Sequence, residues 1–121
     1  MRKVLVVEPD EEILFVIDVL LTKKGFTVLK YSHAKKAMEE IHSLKPDVIL
    51  LDMQPWNLEN RQLCKELKHH DSLHKHIPLI LFSTWRNLET QYPECEAVDF
   101  IYKPFEIDEL VEKIKSLTNA A

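Results

Sequence analysis

Short runs of consecutive apolar residues alternate along the chain with longer stretches whose apolar positions recur every three or four residues. The runs 3–7, 27–31, 48–51, 79–82 and 100–102 predict strands, and the unbroken apolarity of several of them fits strands covered on both faces. The intervening stretches predict helices. Ile13, Val16, Ile17, Leu20 and Leu21 form the core stripe of the first, with Gly25 just past its end as the C-cap residue. Leu14, Phe15 and Val19 fall outside that stripe and leave the helix apolar nearly all round, which calls for burial either against a partner or second copy, or deeper within the chain's own core. Ala34, Ala37, Met38 and Ile41 mark a second helix and Leu63, Cys64 and Leu67 a third. Glu89 to Cys95 make a short, weakly patterned fourth, and Ile107, Leu110, Val111, Ile114 and Leu117 a fifth. This alternation predicts an α/β fold of repeated βα units around a parallel sheet.

In such a sheet the residues that end the strands emerge at one edge, where open α/β folds place their ligand sites. Asp52 ends the third apolar run and Lys103-Pro104 ends the fifth. A carboxylate and an ammonium at that edge can share a phosphoryl group. Taken singly, an Asp after a strand serves as a turn or helix-cap residue, a Ser there as a turn starter, and Lys-Pro as loop punctuation.

Length and composition narrow the function. The 121 residues are expected to form a single domain, residues 1–121, with the hydrophobic and charged fractions of an ordinary soluble protein. A net charge of −4 with interspersed signs gives no basic stripe, so direct nucleic-acid binding is not expected. No apolar segment approaches the roughly eighteen residues that would span a bilayer, and the chain starts directly into strand-like sequence rather than a leader, which reads as cytoplasmic without membrane insertion. Cys64 and Cys95 lie in helix-like segments with no metal spacing and are expected to be reduced thiols. His69, His70, His74 and His76 cluster without a carboxylate or thiolate that would complete a zinc pattern, and read as a polar, titrating loop. Asp10, Glu11 and Glu12 read as favourable charge at a helix start.

The chain resembles the receiver domain of bacterial two-component response regulators over nearly its whole length. The residues that carry the resemblance are Glu8 after the first strand, Leu50-Leu51-Asp52 after the third, Leu81-Phe82-Ser83 after the fourth and Tyr102-Lys103-Pro104-Phe105 after the fifth. It implies a flavodoxin-like (βα)5 doubly wound parallel sheet with strand order 2-1-3-4-5. It also implies that Asp52 accepts a phosphoryl group from a histidine kinase or phosphotransfer protein, and that the output is a contact with a downstream protein. By the same resemblance Lys103 and Ser83 contact phosphoryl oxygens, and Glu8, Asp52 and the Gln54 carbonyl hold magnesium. Ser83 and Phe100 form the switch, and the peptide before Pro104 is cis. A Phe at position 100 can turn inward but has no hydroxyl to offer a partner. Such a domain is a signalling module rather than an enzyme, beyond magnesium-assisted self-phosphorylation and autodephosphorylation.

The departures from the family pattern are specific. Receivers follow the first strand with two adjacent acidic residues, whereas here Glu8 precedes Pro9. Water or the longer Glu8 side chain would fill the missing magnesium position, Asp10 would need local rearrangement to reach it, and the affinity is expected to fall by roughly tenfold or more. Pro9 is also compatible with the first position of the helix, where its missing N–H is harmless. Trp56 and Asn60 stand where proline and glycine are usual, with Pro55 displaced by one, and Asn60 is the best non-glycine candidate for positive φ. Trp85, two residues after Ser83, joins Trp56 as either local packing or an aromatic contact surface near the site. Pro93 and a short connection from Ser83 to Lys103 mark an altered fourth helix, on the usual signalling face. Three readings follow: a phosphorylated receiver, a receiver-like interaction module independent of phosphorylation, and a small flavodoxin-like enzyme or nucleotide binder. The last lacks a glycine-rich loop, since Gly25 is the chain's one glycine.

Overall fold

A computed structural model describes residues 2–54, 56–69, 72–85 and 99–118. Five strands, β1 (Lys3–Val7), β2 (Thr27–Tyr31), β3 (Val48–Asp52), β4 (Leu79–Ser83) and β5 (Asp99–Tyr102), pair in parallel in the order β2-β1-β3-β4-β5. The described helices are α1 (Glu11–Lys23), α2 (Ala34–Leu44), α3 (Leu58–Lys68) and α4 (Ile107–Thr118), the last being the helix that the periodicity counts as fifth. The expected fourth helix, Glu89 to Cys95 with Pro93, lies outside the described residues, as do Pro55 and His70.

The continuous apolar runs have the cause expected of them. Alternate residues of each central strand enter two different cores, because side chains point to opposite faces with a period of two. Leu5, Val7, Ile49, Leu51, Leu79 and Leu81 pack with α2 and α3. Val4, Val6, Val48, Leu50, Ile80 and Phe82 pack with α1 and α4.

Helix phases agree with the sequence for α2, which buries Ala34, Ala37 and Ile41, and for α3, which buries Leu63, Cys64 and Leu67. For α1 the phase differs. Leu14, Ile17 and Leu21 face the core, while Val16 is 52% exposed and Phe15 63%. A helix apolar on almost every position offers several stripes of similar merit, and packing against the sheet decides among them. Gly25 follows the C-cap residue Lys24 and adopts φ 94°, the left-handed conformation that a glycine takes at low cost.

Pro9 does not enter α1. Asp10 is the N-cap, its Oδ1 accepting from the N–H groups of Glu12 at 2.9 Å and Ile13 at 3.2 Å, and Pro9 stands before it. A carboxylate satisfies two of the orphan donors of the first turn, so the helix begins at Glu11, two residues after the start that Pro9 would have given it. Asn60 likewise departs from expectation. It lies in the first turn of α3, and the described non-glycine residue with positive φ is Lys45, at the end of α2. Cys64 is not a reduced thiol, since its sulfur is disulfide-bonded. Helical context and spacing carry no information on which sulfurs approach in space; Cys95 lies outside the described residues.

Candidate functional site

The sheet brings its chemistry to one edge. The register sets Asp52 beside Phe82 and Ser83 beside Tyr102, so the ends of β3, β4 and β5 are level and Lys103 leaves the sheet directly beyond them. The Lys103 N–H donates to the Ser83 carbonyl at 2.8 Å, which extends the ladder by one bond before Pro104 ends it. The Lys103–Pro104 peptide is cis. At the end of β1 the Glu8 N–H donates to the Tyr31 carbonyl at 3.0 Å, fixing Glu8 beside the end of β2.

Three side chains converge. The Lys103 ammonium donates to Glu8 Oε1 at 2.6 Å and to Asp52 Oδ1 at 2.8 Å, and it lies 4.4 Å from the centroid of the Phe82 ring. Both carboxylates are buried, and the lysine side chain is 12% exposed. Glu8 Oε2 also accepts from the Asp10 N–H at 3.0 Å. Burial pushes the Glu8 carboxyl above its ordinary value, the bonds from Lys103 and Asp10 pull it back, and the charge of Asp52 adds to the rise. The second acid beyond β1 is absent from this cluster, because Asp10 is engaged as the cap of α1.

Gln54 Nε2 makes a long 3.4 Å bond to Asp52 Oδ1, the oxygen that Lys103 already holds. The Gln54 carbonyl accepts from the Asn57 N–H at 3.1 Å, which spends one of its two lone pairs. Asn60 reaches back to the same region, with Nδ2 donating to the Asp52 carbonyl at 2.7 Å. Sequence reasoning assigned Asn60 a backbone role and missed this bond; a polar residue on the buried face of α3 was the available signal. Ser83 is fully buried, and its Oγ accepts from the Trp85 N–H at 2.9 Å. Phe100 is half-buried against the α2 and α3 core. Trp85 packs against that same core, whereas Trp56 is 74% exposed.

The arrangement presents a carboxylate, an ammonium and a buried hydroxyl from three neighbouring strand ends. Oxygen donors of this kind, two carboxylates and a peptide carbonyl, suit a hard divalent cation such as magnesium. Among the described residues, no three His, Cys, Asp or Glu side chains gather into a metal centre by themselves, so a cation here would rely on the carbonyl and on water. The histidine-rich connection lies elsewhere, with His42 of α2 stacked edge to face on His74 at 6.0 Å. No described helix is long and apolar enough to cross a membrane.

Comparison with known proteins agrees with this geometry. The family model for the response regulator receiver domain matches residues 4–115. The sensory transduction protein BceR of Halalkalibacterium halodurans is 31% identical over 120 residues, covering 97% of this chain and 50% of the relative. The chain spans about half the length of the first curated relatives it matches. Among solved structures, the receiver domain of the Francisella response regulator 1452 is 28% identical with a TM-score of 0.83, covering 98% of each chain. The response regulator TrrA of Thermotoga maritima, solved in complex with Mg(2+)-BeF, has the same fold at 22% identity and a TM-score of 0.83, covering 97% of this chain and 99% of that one.

Proposed function

The chain belongs to the response regulator receiver domain family, and on that premise we propose that Asp52 is its phosphoryl acceptor, served by a histidine kinase or a phosphotransfer protein. Domains of this family act as signalling modules, so the product is a changed protein surface rather than a released metabolite. The observation that carries the assignment to Asp52 is its bond to the Lys103 ammonium at the level edge of three strands.

In this reading the Asp52 carboxylate attacks phosphorus in line. A new O–P bond forms as the bond to the donor imidazole breaks, and the leaving nitrogen keeps its electron pair. Among the described residues the side-chain bonds to Asp52 fall on Oδ1, and in this reading Oδ2 makes the attack. Lys103 then follows the charge onto a phosphoryl oxygen, exchanging its bond to Asp52 for one to the product. Glu8 keeps the ammonium near the site during that exchange. Ser83 turns its hydroxyl to a second oxygen, giving up its bond from Trp85, and Phe100 moves with it. Glu8, Asp52 and the Gln54 carbonyl are the residues that would hold magnesium, whose contribution is to neutralise charge on the transferring group. Self-phosphorylation and autodephosphorylation at Asp52 belong to the same proposal.

The chain acts as a single cytoplasmic receiver domain in this proposal, and a downstream protein reads the phosphorylated surface. Ile13, Val16 and Leu20 of α1 line a cavity of about 560 Å³ that reaches Lys103 and Phe105, a surface suited to a protein partner or a second copy. The alternative is an interaction module independent of phosphorylation, favoured by Pro9 and by the capture of Asp10 as a helix cap.

Tryptophan fluorescence of the wild type and Asp52→Asn, titrated with magnesium and then beryllofluoride, separates the two readings, with isothermal calorimetry as a second detector. Saturable binding that requires both magnesium and Asp52 supports phosphoryl acceptance. No binding by either method leaves the interaction module.

A further inference from the structure

The Asp52 carbonyl is turned toward β1. In a trans peptide the C=O of one residue and the N–H of the next point opposite ways. The Met53 N–H donates to the Phe82 carbonyl on β4 at 2.9 Å, so the Asp52 carbonyl faces the other side, where β1 lies. On β1, the Glu8 N–H is turned away from β3, to the Tyr31 carbonyl. The next main-chain nitrogen that strand alternation directs toward β3 belongs to Pro9, which carries no hydrogen. The paired register of β1 and β3 stops at Val7 and Leu51. A ladder acceptor therefore stands beyond it without the main-chain donor that any other residue at position 9 would carry.

Asn60 supplies that bond from α3. Its Nδ2 donates to the Asp52 carbonyl at 2.7 Å, and its own N–H is fixed by the Asn57 side chain at 3.0 Å. The residue is 2% exposed, so the amide has no bulk water to exchange with. An unpaired carbonyl at this depth would carry the desolvation cost of a lost hydrogen bond.

We infer that Asn60 is a positioning residue for Asp52: its side-chain amide replaces the ladder donor that Pro9 lacks and anchors the end of β3 to α3, keeping the carboxylate within reach of Lys103. The inference rests on Asp52 being the phosphoryl acceptor. It also couples two departures from the family pattern that lie fifty-one residues apart in sequence, at positions 9 and 60. Asn60 touches no reacting atom; it acts through the backbone of the residue that does.

The test uses the full chain with Asn60→Ala and Asn60→Asp, and Leu67→Ala as a control that weakens α3 packing elsewhere. Urea denaturation reports stability, the carbonyl carbon shift of selectively labelled Asp52 reports the bond, and fluorine NMR reports beryllofluoride affinity in magnesium. In both Asn60 variants the Asp52 carbonyl shift is expected to move, and beryllofluoride affinity to fall by roughly tenfold or more, the usual scale for losing an outer-shell partner. Leu67→Ala loses stability and keeps both. Pro9→Ala added to Asn60→Ala returns a main-chain N–H and recovers part of the affinity; no recovery overturns the pairing of Asn60 with Pro9. An unmoved Asp52 carbonyl, or an affinity loss no greater than that of Leu67→Ala, overturns the positioning role. A wild type that binds no beryllofluoride refutes the acceptor reading separately, and the carbonyl shift still decides whether Asn60 makes the bond.

Discussion

Lys103 holds Glu8 and Asp52 together on a single ammonium, with little solvent to share the charge. Removing it leaves two buried carboxylates side by side, a larger loss than deleting an exposed ion pair, because uncompensated charge stays in a poorly solvated site. Lys103→Met is expected to cost about 3 kcal/mol or more in urea denaturation and to abolish beryllofluoride binding. A second residue-scale prediction concerns His74. Burial and the neighbouring His42 and His76 lower its pKa from the usual 6.5, so the fold prefers the neutral imidazole. Lys45 and Asp47 line a cavity with His42, His74 and His76, from the end of α2 and the approach to β3. The stabilising contribution is complete above pH 6.5 and is lost as pH falls through the lower folded value, where the unfolded chain binds the extra proton. Urea midpoints measured downward from neutral pH should fall less steeply in His74→Gln than in the wild type. That Asp52, Ser83 and Lys103 come to one edge of the sheet was legible in the sequence because each directly ends an apolar run. The bond between Glu8 and Lys103 and that between Asn60 and the Asp52 carbonyl were not, since each depends on which distant residue approaches.

At the scale of elements, α1 and α3 differ in what their sequences disclose. The apolar positions of α3 are few and form one stripe, so its phase followed from spacing, whereas α1 is apolar on most positions and its phase is set by the sheet beneath it. Leu14→Ala is therefore expected to cost about 2–5 kcal/mol, as buried leucine truncations do. Phe15→Ser, at an exposed position, should change stability by about 0.5 kcal/mol or less. The reverse ranking in denaturation would overturn the phase in which Leu14, Ile17 and Leu21 face the core. Asn57 caps α3 through its bond to the Asn60 N–H. Asn57→Ala should cost about 1 kcal/mol, and that loss should add less than independently to the cost of Asn60→Ala, because the two side chains share one anchor.

For the whole molecule, the strand order and parallel pairing followed from the alternation of elements and from the resemblance to receivers, and the two-sided burial of the sheet followed from the runs themselves. Leu50 and Leu51 make the point with adjacent residues: one enters the α1 and α4 core, the other the α2 and α3 core. Alanine at either position should destabilise by about 2–5 kcal/mol; a near-neutral result at one of them in chemical denaturation would mean that its face is uncovered. The ionic cluster adds a consequence for how the chain is made. Its two bonds join residues 95 and 51 apart in sequence, drawn from the ends of β1, β3 and β5. Contacts that distant form late and depend on the closure of long loops. In the proposed receiver a nascent or half-assembled chain thus lacks the constellation that would take the phosphoryl group, and competence to be modified becomes a certificate of completed folding, so that immature copies stay silent.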